Sequence, residues 1–165
     1  MNIIVEGPDS SGKTTLIHHL LNSLKGFTLK EGEGPPKFPG EITERCQRYL
    51  KMDQCVMDRH PAISHPIYDK FRETPDPLPR DLVFSFYLSN PLIIYCYGKI
   101  GQHQIKDYDS VFHQRMVKEK DKQIRLAYLG WAQHHVPTCF WCAAGQQKSI
   151  ERITNLVRER INHDD

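Results

Sequence analysis

Short apolar runs of strand length alternate along this chain with longer segments in which apolar residues recur every three or four positions. Asn2 to Glu6 centres on the apolar run Ile3-Ile4-Val5, and from Thr14 to Leu24 the residues Leu16, Leu20, Leu21 and Leu24 keep helical spacing. Phe27 to Lys30 predicts a second, short strand that runs into the Gly/Pro-rich loop Glu31 to Pro36. Gly40 to Lys51 predicts a helix with Ile42, Cys46, Tyr49 and Leu50 on one side, and Gln54 to Met57 a third strand ending at Asp58-Arg59-His60. The stretch from Pro61 to Pro79 holds five prolines and predicts only one short helix, near Ile67 to Phe71. Asp81 to Leu88 continues as helix, and Leu92 to Tyr97 and Thr138 to Ala143 read as the fourth and fifth strands. Gln147 to Ile161 closes the chain as a helix with Ile150, Ile153, Val157 and Ile161 at core spacing. The longest predicted helix runs from about Asp109 to His134. It carries Val117, Ile124, Tyr128 and Trp131 on one face and Arg115, Lys118, Lys122 and Arg125 on a nearly opposite one.

Apolar strands alternating with helices predict a three-layer α/β fold with a mostly parallel five-stranded sheet. No internal repeat or domain boundary interrupts the 165 residues, so residues 1–165 are expected to form one domain. Ligands of such sheets sit beyond the carboxyl ends of the strands. Three segments meet that edge: the loop after the first strand, Glu31 to Pro39, and Asp58-Arg59-His60.

The first of these segments is Gly7-Pro8-Asp9-Ser10-Ser11-Gly12-Lys13-Thr14, which spells G-x-x-x-x-G-K-[ST] between a predicted strand and a predicted helix. That placement is what a phosphate-cradling loop needs, because the strand aims the loop and the helix presents its amino-terminal amides to an anion. Gly7 and Gly12 let the backbone curl with its amides inward. Lys13 is a point charge for the β- and γ-phosphates of ATP, and the Thr14 hydroxyl is the expected Mg²⁺ ligand, with Thr15 beside it. The expected architecture is therefore a P-loop NTPase fold. A glycine turn with an incidental lysine would explain the glycines but not the G-K-T order.

Composition narrows the class further. A net charge of +2 neither demands nor forbids a nucleic-acid partner. The most hydrophobic stretch, Pro91 to Tyr97, is strand-sized, which argues against a membrane span, and a functional loop at residue 7 leaves no room for a signal peptide. A cytoplasmic location is expected. The five cysteines are an odd count in mostly apolar segments and read as reduced core residues. Cys139 and Cys142 have C-x-x-C spacing, but on a strand they face opposite ways.

Phosphoryl transfer needs a metal, positioned donors and cations around the migrating group more than covalent help. Asp58, ending a buried strand, suits Mg²⁺, and Arg59 can fork onto a phosphate or onto the acceptor. Asp9, inside the loop, would lie between the two substrates. The acceptor's base is open among Asp9, Glu31, Glu33 and Asp58. The basic helix face is either a solvated surface or a cationic arm that folds over phosphates, with residues 98–125 as lid. The guanine-binding N/T-K-x-D motif of GTPase switches does not occur. A non-catalytic DNA-binding module regulated by ATP is the remaining alternative class.

Glu6-Gly7-Pro8-Asp9-Ser10-Ser11-Gly12-Lys13-Thr14-Thr15 resembles the E-G-x-D-x-x-G-K-T/S-T loop of thymidylate kinases. Lys37-Phe38-Pro39 with Thr43 and Tyr49-Leu50 resembles that family's R-F-P…T…Y-L acceptor segment, and Asp58-Arg59-His60, with Ser64 and Tyr68 following, its D-R-Y/F/H motif. The similarity is close over roughly the first seventy residues and holds only in outline beyond them. It implies a nucleoside monophosphate kinase-like fold using ATP and Mg²⁺, with the loop aspartate contacting the acceptor sugar. The chain departs from the family in being shorter and in having Lys37 where the family has arginine, which thins the clamp for a dianionic monophosphate. In this it looks like short bacteriophage members, some similar to kinases of 5-hydroxymethyluracil in DNA. The resemblance thus implies two acceptors: the hydroxymethyl group of that base in DNA, tracked by the basic helix, or a free deoxynucleoside monophosphate such as dTMP.

Overall fold

The computed structural model describes residues 1–73, 75–98, 111–135 and 139–164. Five strands, β1 (Ile3–Glu6), β2 (Thr28–Lys30), β3 (Cys55–Asp58), β4 (Leu92–Cys96) and β5 (Cys139–Cys142), form one sheet in the order β2-β3-β1-β4-β5. Every neighbouring pair is parallel. Helices α1 (Lys13–Ser23), α2 (Glu41–Tyr49), α3 (Pro61–Asp69), α4 (Arg80–Leu88), α5 (Val111–His134) and α6 (Gln147–Asp164) cover it. The three-layer α/β architecture expected from the apolar periodicity is the one observed.

Strands buried on both faces have no polar alternation, because helices cover each side. On β1, Ile4 packs into a core shared with α2, α3, α4 and α5, while Ile3 and Val5 point into a second core against α1 and α6. The two cysteines of β5 divide in the same way, Cys139 into the first core and Cys142 into the second. On α6, Ile150, Ile153 and Val157 are buried as their spacing predicts. Each such side chain contributes roughly 1.5–3 kcal/mol when removed from water. Ile124, Tyr128 and Ala132 do the same for α5. Because β1 sits between β3 and β4, the order reverses beside it, and the loop after β1 opens into the crevice at that switch point.

One expectation fails. The proline-rich stretch forms a helix from Pro61 rather than from near Ile67. Pro61 occupies the first helical position, where a missing amide hydrogen is harmless and its fixed φ favours the helix. The His60 ring caps the turn, its Nδ1 accepting from the Ala62 amide at 3.1 Å. Pro66 does lie inside the helix, where it gives up one amide donor. Residues 99–110, the amino-terminal half of the expected lid, lie outside the described residues, as does the Val117 side chain.

Candidate active site

The loop after β1 makes its turn with backbone conformations that favour glycine. Gly7 has φ +145°, and a Cβ there would fall on the carbonyl oxygen of Cys96 in β4 and 2.9 Å from Ser11 Oγ. Gly12, the residue before α1, has φ +87°, and Ser10 lies in the left-handed region at +57°. Helix α1 begins with no side-chain cap and no acidic residue in its first turn, so its leading amides keep their full donor capacity for an anion. Ser11 Oγ is buried and has no hydrogen-bond partner among the described residues. A buried orphan hydroxyl under uncapped amides fits a loop built to receive an anion.

Lys13 is 8 % exposed and folds back so that Nζ donates to the Pro8 carbonyl at 2.9 Å. Burial lowers its pKa to about 8, with Arg59 adding repulsion and Asp58 and Asp9 opposing the shift. Thr14 and Thr15 are exposed on the first turn of α1. Asp58 pairs with Val5 across the β1/β3 ladder, which brings it to the rim beside the loop. Gly32 leaves space there: a Cβ on it would lie 3.1 Å from the Asp58 carbonyl oxygen. Thr14 and Asp58 offer oxygen ligands of the kind that suit a hydrated Mg²⁺.

Arg59 turns the chain sharply away from β3. Its φ is +71°, and its amide donates to the Val5 carbonyl at 3.0 Å. Its guanidinium is spent on the loop: NH2 donates to Asp9 Oδ1 at 2.8 Å and to the Gly7 carbonyl at 3.2 Å. The same nitrogen donates to the Tyr68 hydroxyl at 2.9 Å, and that hydroxyl donates to Asp9 Oδ2 at 3.0 Å. Burial would raise the Asp9 carboxyl, but Arg59, Lys13 and these hydrogen bonds hold it well below the usual carboxylate range. Asp9, Arg59 and Tyr68 thus form a closed triangle from three elements.

Glu6 and Tyr128, which the sequence reading did not place in the site, belong to it. Glu6, fully buried at the end of β1, accepts from the His60 amide at 2.6 Å and from the Tyr128 hydroxyl at 3.2 Å. Burial raises its pKa to about 7, against the pull of His60, Arg59, Lys13 and Tyr128. A carboxylate between Val5 and Gly7 in a doubly buried strand was the available signal. Arg125, on the helix face expected to be either a solvated surface or a cationic arm over phosphates, reaches the loop. Its NH2 donates to the Asp9 carbonyl and its NH1 to the Gly98 carbonyl, both at 2.6 Å, while Asp121 holds its Nε. Arg115 pairs with Glu119 at 2.7 Å, and Lys118 and Lys122 are exposed.

The Glu31 to Pro39 side of the crevice is tied down by ion pairs. Glu33 takes Lys30 at 2.7 Å, Arg48 at 2.8 Å and Arg45 at 3.3 Å. Arg45, only 4 % exposed on the inner face of α2, also donates to the Gly34 carbonyl at 2.6 Å and pairs with Glu41. The Gly40 amide donates to Asp76 Oδ2 at 3.1 Å. Phe38, by contrast, is 53 % exposed.

No protein-family profile matches the chain, and no curated protein matches it either. Solved structures do. YorR from Bacillus subtilis, solved in complex with phosphorylated GDP, superposes with a TM-score of 0.70 over 99 % of this chain and 97 % of its own, at 20 % identity. Thymidylate kinase from Candida albicans gives 0.57 over 99 % and 91 %, at 14 % identity. Deoxyadenosine kinase from M. mycoides, solved with dCMP and dCDP as products, gives 0.54 over the full length of both chains, at 15 % identity. The chain shares its fold with these structures.

Proposed function

We propose that the chain is an ATP- and Mg²⁺-dependent kinase that transfers the γ-phosphoryl group to a thymine-like deoxynucleotide acceptor. The observation that carries this is the rim shared by Lys13, Asp58 and the Asp9–Arg59 pair, set against the uncapped start of α1. The loop amides and Lys13 bind the β- and γ-phosphates. Thr14 and Asp58 would hold Mg²⁺, which when bound would neutralise charge developing on the phosphates. The acceptor oxygen forms its bond to phosphorus as the β,γ-bridge bond breaks and its electron pair leaves with ADP. Arg59, fixed by Asp9 and Tyr68, offers its charge to the migrating group. Glu33 is bound by three cations, and Arg59 and Tyr68 occupy both Asp9 oxygens, which leaves Glu31 and Asp58 to take the acceptor's proton.

The leading acceptor is the hydroxymethyl group of 5-hydroxymethyluracil in DNA, a phage modification carried out in the host cytoplasm. Around the described acceptor edge Arg45, Arg48 and Arg72 are each paired with a carboxylate. A free monophosphate brings a dianion that needs uncommitted cations, whereas a base on a polymer brings a neutral hydroxyl. Exposed Lys118 and Lys122 would meet the DNA backbone. The second reading, dTMP to dTDP, is favoured by neighbours in the same fold that handle free nucleotides. Incubation with γ-labelled ATP and either dTMP or hydroxymethyluracil-containing DNA decides between them. Label on the DNA is expected; label on dTMP alone refutes the DNA reading.

A further inference from the structure

We infer that Glu6 is a positioning residue that ties helix α5 to the Arg59 turn, so that the two guanidinium groups flanking Asp9 are held as one unit with the P-loop. The inference rests on the kinase reading and assigns a role to a side chain that reading leaves unused.

Glu6 is the last residue of β1 and the one before Gly7, so its backbone is fixed in the sheet between β3 and β4. Its carboxylate has two oxygens and each takes a different element. Oε1 accepts from the His60 amide, immediately after Arg59, and Oε2 accepts from the Tyr128 hydroxyl of α5. Arg59 is a non-glycine residue in the left-handed region, a conformation that persists only where the surroundings over-determine it. They do so from both sides: Val5 binds the Arg59 amide and Glu6 the next amide along. From that turn the guanidinium reaches Asp9 Oδ1.

The second arm works on α5. Arg125 precedes Tyr128 by three residues, about one helical turn. The Tyr128 ring is fully buried, 6.0 Å from Tyr68 and stacked at 6.4 Å on Tyr95. Packing alone fixes the ring but leaves the helix free to slide along it, and the hydroxyl-to-carboxylate bond fixes the register. With that register set, Arg125 meets the Asp9 carbonyl oxygen while Arg59 meets the Asp9 carboxylate. One buried carboxylate therefore indexes both cations to the residue between the two substrates. Where such groups are misplaced by a fraction of an ångström, turnover falls while substrate binding, spread over many contacts, does not.

The test is a mutant cycle read in γ-phosphoryl transfer to the acceptor that the labelling experiment identifies. Glu6→Gln keeps both contacts in shape, its carbonyl accepting from His60 and its amide donating to the Tyr128 oxygen, and is expected to keep kcat within about threefold. Tyr128→Phe removes only the α5 arm and should lower kcat about tenfold with the KM for ATP within about twofold, the effect of losing one buried hydrogen bond. Glu6→Ala should lower kcat more, and adding Tyr128→Phe to it should cost nothing further. Multiplying effects in the double variant, or a Tyr128→Phe defect confined to KM, overturns the inference. If Glu6→Ala does not fold, the kcat and KM of Tyr128→Phe decide alone. A wild-type chain that transfers no phosphoryl group overturns the kinase reading and this role with it, whereas transfer with an additive cycle overturns only the role.

Discussion

Replacing Glu6 by glutamine gives a stability difference whose pH dependence is set by burial. The carboxyl has no access to solvent, and burial raises its pKa from 4.5 to about 7. At about 1.4 kcal/mol per unit, that rise amounts to about 3 kcal/mol. The sign follows from proton counts. Between pH 4.5 and 7 the folded chain keeps a proton on Glu6 that the unfolded chain has lost. The associated stability is fully present below the unfolded pKa and disappears as pH rises through the folded one. Glutamine cannot ionise, so Glu6→Gln should gain on the wild type by about 3 kcal/mol between pH 4.5 and 8. The groups facing Glu6 limit this figure without reversing it: Arg59 and Lys13 favour the ionised form, and the Tyr128 and His60 donors do the same. The His60 ring is itself held neutral by burial, its pKa lowered to about 3, so it adds no charge in this window. Lys13 titrates with the opposite slope above about pH 8, which is why the comparison stops there. Urea unfolding of both proteins at half-unit steps from pH 5 to 8, with the slope m checked for constancy, measures the difference directly. A gap that does not change with pH would mean that Glu6 is ionised throughout and that Arg59 and Lys13 outweigh its desolvation.

Two further variants test the loop. Lys13→Ala should remove transfer to every acceptor by a factor of about 10²–10³ while leaving the urea midpoint equal or higher, because a desolvated cation is lost with it; near-normal turnover would refute the P-loop assignment. Gly7→Ala drives a Cβ into the Cys96 carbonyl at φ +145° and should cost about 3 kcal/mol or more by urea unfolding. Gly98→Ala, at φ +96° with open space around it, should cost only about 1 kcal/mol.

The sheet and the loop were legible because their causes are local. A strand buried on both faces must be apolar along its length, and G-x-x-x-x-G-K-T carries its own backbone requirement, so β1, α1 and the sheet-edge position of Asp58 could be read without tertiary knowledge. The start of α3 was not legible, since the same proline that breaks a helix interior favours its first turn, and the deciding cap is the His60 ring, whose role depends on how β3 ends. For Arg125 the sequence left two placements open, a solvated face and an arm over phosphates. Helical projection puts it on a polar face with Arg115, Lys118 and Lys122. Yet a guanidinium on a long stem can leave its face and reach an oxygen that lies 116 residues away in sequence. Arg45 escaped notice because its charge marks an exposed position, whereas Glu33 and Glu41 neutralise it inside.

The charges around Asp9 explain why so many ionisable groups can share one buried corner. Lys13, Arg59 and Arg125 bring three cations, and Glu6, Asp9 and Asp58 three carboxylates, onto the ends of β1 and β3 and the face of α5. Burial of unpaired charge is far more costly than burial of a satisfied pair, and a half-satisfied network is worse than none. Here Arg59 and Tyr68 between them occupy both Asp9 oxygens, and Arg125 is shared between Asp121 and two carbonyls. Among the described residues, Lys13 donates to a single neighbouring carbonyl, that of Pro8 in the same loop. An incoming polyphosphate would replace that single carbonyl with several anionic oxygens. Nucleotide binding is therefore expected to raise the Lys13 pKa from about 8, since an anion relieves both its desolvation and its repulsion from Arg59.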